Sequence, residues 1–155
     1  MDPLKIHIAT ENDLPRILEI EKTSFPSPWS ANTFVTTLHD RRCRNIVICD
    51  HGVVIGYCFT FTMKIMIHLL NLAVHPDHRK KGIAKRLLNE ILSHARAGNK
   101  SYVFLEVRKS NEEARLLYES QGFSHVSTWP QYYTDTREDA DVMVKRLEGK
   151  LDEGY

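Results

Sequence analysis

The sequence predicts a mixed α/β fold (α/β or α+β), a twisted mixed β-sheet of about seven strands flanked by about four helices. Three observations carry that expectation. Seven short segments have the apolar alternation or continuous apolar run of a strand. Four longer ones show helical spacing between a cap and a stop. A strand–helix–strand passage in the second half requires the kind of crossover that joins parallel strands. With 155 residues and no linker, repeat or low-complexity tract, the chain is expected to form a single domain over 1–155, its core at about 4–148 and a polar tail at 149–155.

The first strand is Leu4–Ala9, where LKIHIA alternates. Thr10 or Asn12 caps a helix running to about Ser24, with Asp13 in its first turn and Pro15 close enough to the start to be tolerated. Two prolines make Phe25-Pro26-Ser27-Pro28-Trp29 a loop, and Ser30 caps a short helix from Ala31 to about Leu38. Asn45–Asp50 and Val53–Met63 form a hairpin about His51-Gly52. A strand over Met66–Val74 ends at His75-Pro76-Asp77-His78. The helix Gly82–Ala97 then repeats Ile83, Leu87, Leu88, Ile91, Leu92 and Ala95 at helical spacing, and Gly98-Asn99 closes it. Ser101–Val107 reads as a buried strand. Asn111 caps Glu112–Gln121, Gly122 stops that helix, and strands follow over Phe123–Tyr133 and Asp141–Leu147.

Apolar residues make up 42% and charged residues 26%, the balance of a folded chain rather than a disordered one. Lys plus Arg is 21 against 20 for Asp plus Glu, too even for a general nucleic-acid surface. No run approaches the roughly 18 apolar residues of a membrane span, and the amino terminus lacks the basic start and apolar run of a signal peptide. A cytoplasmic protein without a membrane partner is therefore expected. Cys43, Cys49 and Cys58 form no CxxC pair and read as reduced thiols, Cys58 as core filler rather than a nucleophile. His75 and His78 flank Pro76 without a third ligand, so no metal site is expected.

The most informative stretch is LNLAVHPDHRKKGIAKRLL (Leu70–Leu88), in which an apolar strand runs through a short loop into a helix. First-turn amides of a helix lack internal partners, and the helix dipole places partial positive charge there. Gly82 and Ala84 keep side-chain bulk low at that point. Arg79, Lys80, Lys81, Lys85 and Arg86 put five cations in eight positions. The combination predicts a phosphorylated ligand at this helix start, with Ile83 on the core side. It is not a Walker loop, whose Gly-x-x-x-x-Gly-Lys-Ser/Thr spacing is missing, nor a dinucleotide fingerprint, which needs three glycines. The alternative is a solvated basic helix start.

Arg79-x-x-Gly82-x-Ala84 after Val74-x-Pro76 resembles the acetyl-CoA signature of the GNAT N-acetyltransferases, (Arg/Gln)-x-x-Gly-x-(Gly/Ala). Leu105-Glu106-Val107-Arg108, Ser110-Asn111, Ala114, Leu117-Tyr118-Glu119 and Gly122-Phe123 are similar to the rest of that family's core. Gln131-Tyr132-Tyr133 with Glu138-Asp139-Ala140 and Met143, and Phe25-Pro26-x-Pro28-Trp29-Ser30, resemble the RimI-type branch, which acetylates the N-terminal alanine of a small-subunit ribosomal protein. The resemblance spans Ile6 to Leu147. Ala84 stands where many members have Gly, and Thr134 where the branch often has Pro.

The resemblance implies a sheet splayed open between the strands Met66–Val74 and Ser101–Val107, with acetyl-CoA as cosubstrate in that cleft. Leu72, Ala73 and Val74 would pair with its pantetheine arm. Arg79, Lys80, Lys81, Gly82, Ile83, Ala84 and Lys85 would hold its diphosphate, and Asn111 would cap its helix and contact CoA. Glu106 would be the base, directly or through a water, and Tyr118 the proton donor to the CoA sulfur. Phe25, Trp29, Tyr132 and Tyr133 would line the acceptor cleft of a peptide or protein N-terminus, in a monomer or weak homodimer.

Each role has a plainer counterpart. Glu106 could be a strand-end charge paired with Arg108 or another cation, Tyr118 a half-buried core aromatic, and Phe25 and Trp29 loop anchors. Strand alternation would let at most one of Tyr132 and Tyr133 face the cleft. Acceptor chemistry favours an N-terminus, because an α-amine of pKa about 7.7–8.0 loses its proton for under about 1 kcal/mol at cytosolic pH, whereas a lysine near 10.4 costs about 4 kcal/mol. A small-molecule amine or protein lysine is the competing acceptor, and a non-catalytic acyl-CoA-binding module the third reading.

Overall fold

A computed structural model describes residues 2–147 and gives the element order β-α-α-β-β-β-α-β-α-β-β expected from the sequence. The strands are β1 (Leu4–Ile8), β2 (Cys43–Asp50), β3 (Val53–Thr62), β4 (Met66–Val74), β5 (Tyr102–Arg108), β6 (Ser124–Trp129) and β7 (Ala140–Arg146); the helices are α1 (Leu14–Ser24), α2 (Ala31–His39), α3 (Ile83–Ala97) and α4 (Glu112–Ser120). The seven strands order as β1-β2-β3-β4-β5-β7-β6. The crossover through α3 makes β4 and β5 parallel, in the register Met66↔Tyr102 to His68↔Phe104. The expected tail at 149–155 lies outside the described residues.

Local chemistry explains the boundaries. A single 3-10 turn (Glu11–Asp13) precedes α1, and the Asp13 carboxylate accepts the Thr10 N–H at 2.9 Å, so the helix itself starts at Leu14 with Pro15 in its first turn. Ser30 caps α2 by accepting the Thr33 N–H at 3.1 Å. His51 and Gly52 both take positive φ, 49° and 83°, as a two-residue hairpin needs. Asn99, not Gly98, is the left-handed residue that ends α3, at φ 58°.

One boundary must be corrected. The strand expected over Phe123–Tyr133 stops at Trp129. Pro130 cannot donate to a ladder and Gln131 turns left-handed at φ 51°, its N–H given to Asp139 Oδ1 at 2.9 Å. Tyr132 and Tyr133 therefore sit in a loop, and strand alternation does not govern their directions.

The chain divides into two compact units. The first takes the residues up to Thr62 together with Leu69–Ile91. Its core joins Ile17 and Ile20 of α1 and Phe34 of α2 to Val47, Tyr57 and Phe59 of the hairpin, all fully buried. Each such side chain contributes about 1.5–3 kcal/mol. The second unit takes Met63–His68 and the residues from Leu92 onward. There β7 lies between β5 and β6, antiparallel to both, and Val103, Leu105, Tyr118, Phe123, Val142 and Met143 are buried.

Candidate active site

In the first unit β4 delivers Leu72, Ala73 and Val74 to a 3-10 turn, Pro76–His78, that leads into α3. His75 Nδ1 accepts the Asp77 N–H at 3.1 Å, so this histidine shapes the turn. Lys80 and Gly82 take positive φ, 61° and 78°, which swings the chain into the helix. Nothing lies within 4 Å of where a Cβ on Gly82 would stand. An open approach thus adjoins the first-turn amides of α3, with Lys80, Lys81 and Lys85 exposed and Ile83 buried in the core. Arg79 is placed differently from its neighbours. Its Nε donates to the Val74 carbonyl and its Nη2 to Ser24 Oγ, both at 3.0 Å, so it braces the turn.

The loop Phe25–Trp29 belongs to the same unit. Trp29 packs on Phe34 and Phe59, with ring centroids 5.1 and 6.1 Å away, and Phe25 lies against the same core. The anchoring role is therefore present. The loop's other tie was not foreseen. Glu21, 1% exposed on α1, accepts the Trp29 N–H at 2.9 Å, the Asn71 amide at 2.9 Å and the Tyr57 hydroxyl at 2.5 Å. Burial, reinforced by the Glu21 charge, drives the Tyr57 phenol far above its ordinary range, which keeps it a donor. The signal in the sequence was a carboxylate on the apolar stripe of α1, beside Ile17 and Ile20.

The second unit holds Glu106, Tyr118, Asn111, Tyr132 and Tyr133. Glu106 lies on β5 with its side chain 12% exposed, and its Oε2 is 2.5 Å from His68 Nε2 on β4. The His68 ring, 19% exposed, stacks on Phe104 at 4.2 Å and 13°. Arg108 is not the partner of Glu106. It grips Asp135 through both terminal nitrogens, at 3.0 and 2.8 Å, and lies 4.0 Å over the Tyr133 ring. Burial raises both loop phenols, Tyr133 to about 12, and the Glu106 charge pushes each further the same way. Both rings are thus within electrostatic reach of one carboxylate.

Tyr118 is 6% exposed with its ring 5.7 Å from that of Phe123. Asn111 caps α4 by accepting the Ala114 N–H at 3.2 Å. Cys58 is fully buried and its thiol is pushed well up by burial, as suits core filler. Among the described residues no three His, Cys, Asp or Glu side chains gather as a metal site, and no helix is long and apolar enough to cross a membrane.

The model of the acetyltransferase (GNAT) family matches residues 14–123. The [ribosomal protein bS18]-alanine N-acetyltransferase of Escherichia coli K12 is 34% identical over 134 residues, 85% of this chain and 90% of the relative. Its counterpart in Haemophilus ducreyi is 32% identical over 145 residues, 92% and 99% of the two chains. The crystal structure of the ribosomal-protein-S18-alanine N-acetyltransferase from Escherichia coli superposes with a TM-score of 0.89 at 30% identity, covering 98% of this chain and 99% of that one. Ard1 from Thermoplasma volcanium shares the fold, with a TM-score of 0.88, 24% identity, and 95% and 99% of the two chains covered.

Proposed function

The chain belongs to the acetyltransferase (GNAT) family, and on that footing we propose that it transfers the acetyl group of acetyl-CoA to the α-amine of a protein N-terminus, with the N-terminal alanine of a small-subunit ribosomal protein as acceptor. The observation that carries the donor half is the open approach at Gly82 beside the first-turn amides of α3. Those amides and Lys80, Lys81 and Lys85 receive the diphosphate, while the main chain of Leu72–Val74 receives the pantetheine arm. The acceptor half is supported by relatives at 34% and 32% identity whose names specify alanine N-acetylation.

The reaction forms a C–N bond between the amine and the acetyl carbon and breaks the thioester C–S bond. Glu106 takes the proton the amine gives up, and Tyr118 gives one to the departing thiolate. An α-amine is already partly neutral near pH 7, so a carboxylate base with little driving force suffices; a lysine would ask it for about 4 kcal/mol. Phe25 and Trp29 of the first unit, and Tyr132 and Tyr133 of the second, are the residues this reading assigns to the acceptor. Three free cysteines suit work in the reducing cytoplasm.

The acceptor assignment is tested by mass spectrometry on peptides of the ribosomal-protein N-terminus, on lysine peptides blocked at the N-terminus, and on polyamines. Acetylation at the α-amine of the alanine peptide should dominate; fast polyamine or lysine transfer without α-amine product overturns it. The donor assignment is tested by calorimetric titration of acetyl-CoA. Gly82→Glu should lose at least about tenfold in affinity, a carboxylate facing phosphate charge. Gly82→Asn, which tolerates the left-handed backbone, should retain it to within about threefold. Equal affinities for both variants would move the diphosphate elsewhere.

A further inference from the structure

We infer that His68 is a positioning residue for the acetyl transfer, holding one oxygen of Glu106 so that the other is presented to the acceptor amine. The inference rests on the reading of Glu106 as the base. A nitrogen and a carboxylate oxygen 2.5 Å apart cannot face each other with lone pairs alone, so a proton lies between them. With Glu106 ionised, His68 Nε2–H is the donor and Glu106 Oε2 the acceptor, which leaves Oε1 for the amine proton. The imidazole is itself fixed. It stacks on Phe104, the residue opposite it in the parallel register, and both members of the pair are largely buried. A buried hydrogen bond of this kind aligns a base at the cost of no rearrangement during the reaction.

The other charged and phenolic groups near Glu106 have contacts of their own. Arg108, two residues along on the same face of β5, is committed to Asp135 and to the Tyr133 ring. Burial, with the Glu106 charge acting the same way, keeps Tyr132 and Tyr133 neutral phenols; their rings pack on each other with centroids 5.1 Å apart, and Arg108 covers that of Tyr133. His68 is also the one of these groups contributed by β4.

Steady-state kinetics on folded variants, each checked by its unfolding midpoint, separates positioning from packing. His68→Phe preserves a flat ring against Phe104 and has no N–H; kcat should fall about 10- to 100-fold while KM for acetyl-CoA and for peptide stays unchanged. His68→Gln abandons the ring and restores an amide N–H; kcat should return to within about threefold of wild type. A packing role gives the reverse order, with Phe tolerated and Gln impaired, and overturns the inference. In a Glu106→Gln background, His68→Phe should cost nothing more, because there is no base left to aim; additive losses also overturn it. If Glu106→Gln is inactive while His68→Phe turns over normally, the positioning role falls and the base stands. If Glu106→Gln keeps full turnover, both fall.

Discussion

Glu106→Gln is expected to lower kcat by about 10²- to 10⁴-fold at pH 7, the usual contribution of a positioned general base. Acetyl-CoA affinity should be unaffected, because the residues assigned to its diphosphate and pantetheine arm are on β4, on α3 and in the turn between them. Glutamine keeps the shape of the side chain and an oxygen for His68 but cannot accept the amine proton. The deficit should therefore depend on pH. As pH rises through the α-amine range of about 7.7–8.0, the acceptor arrives without its proton and the variant should recover part of its rate. Initial rates on an alanine-initiated peptide between pH 6.5 and 9.5 check this. A deficit that is constant across that range would indicate that Glu106 orients the substrate without taking a proton.

The second large effect concerns stability. Glu21→Ala strips the acceptor from three donors at once: the Trp29 N–H, the Asn71 amide and the Tyr57 hydroxyl. Tyr57 is wholly buried and Asn71 is 7% exposed, so water cannot readily replace the carboxylate. A buried donor left unsatisfied costs about 1–3 kcal/mol, and the cavity adds to this; about 3–5 kcal/mol in total is expected. For a chain of this size that lowers the unfolding midpoint by about 10 °C or more. Glu21→Gln, which keeps one acceptor oxygen, should lose less than half as much. A midpoint for the alanine variant within about 2 °C of wild type would show that the three donors find other partners.

What could be read from the sequence follows from how local the information was. The order of elements was legible because each is announced within a few residues: Ser30 before α2, Asn111 before α4, the His51-Gly52 turn between two apolar runs. The basic turn into α3 was legible for the same reason, since Arg79 to Lys85 are contiguous. Pairings that depend on tertiary register were not. His68 and Glu106 meet because β4 and β5 align across the α3 crossover, and no local pattern specifies that alignment. Arg108 illustrates the same limit, its partner Asp135 lying 27 residues away in the loop between β6 and β7. Arg79 was legible as a motif residue but not as a brace, because its contact with Ser24 spans 55 residues. Glu21 had a local signal, a charge on an apolar helix face, which carried no information about its three donors.

The hold of Arg108 on the 130–139 segment has a consequence for recognition. Its forked grip on Asp135, its contact with Thr136 Oγ1 at 3.3 Å and its stacking on Tyr133 fasten this segment before any acceptor arrives. The closing main-chain bond from Tyr133 N–H to the Glu138 carbonyl, at 3.1 Å, does the same. If the acceptor docks against Tyr132 and Tyr133, as proposed, it would meet a segment already fastened, and the protein would lose little conformational entropy on binding. Short acceptors of only a few residues should for that reason be captured nearly as well as longer ones.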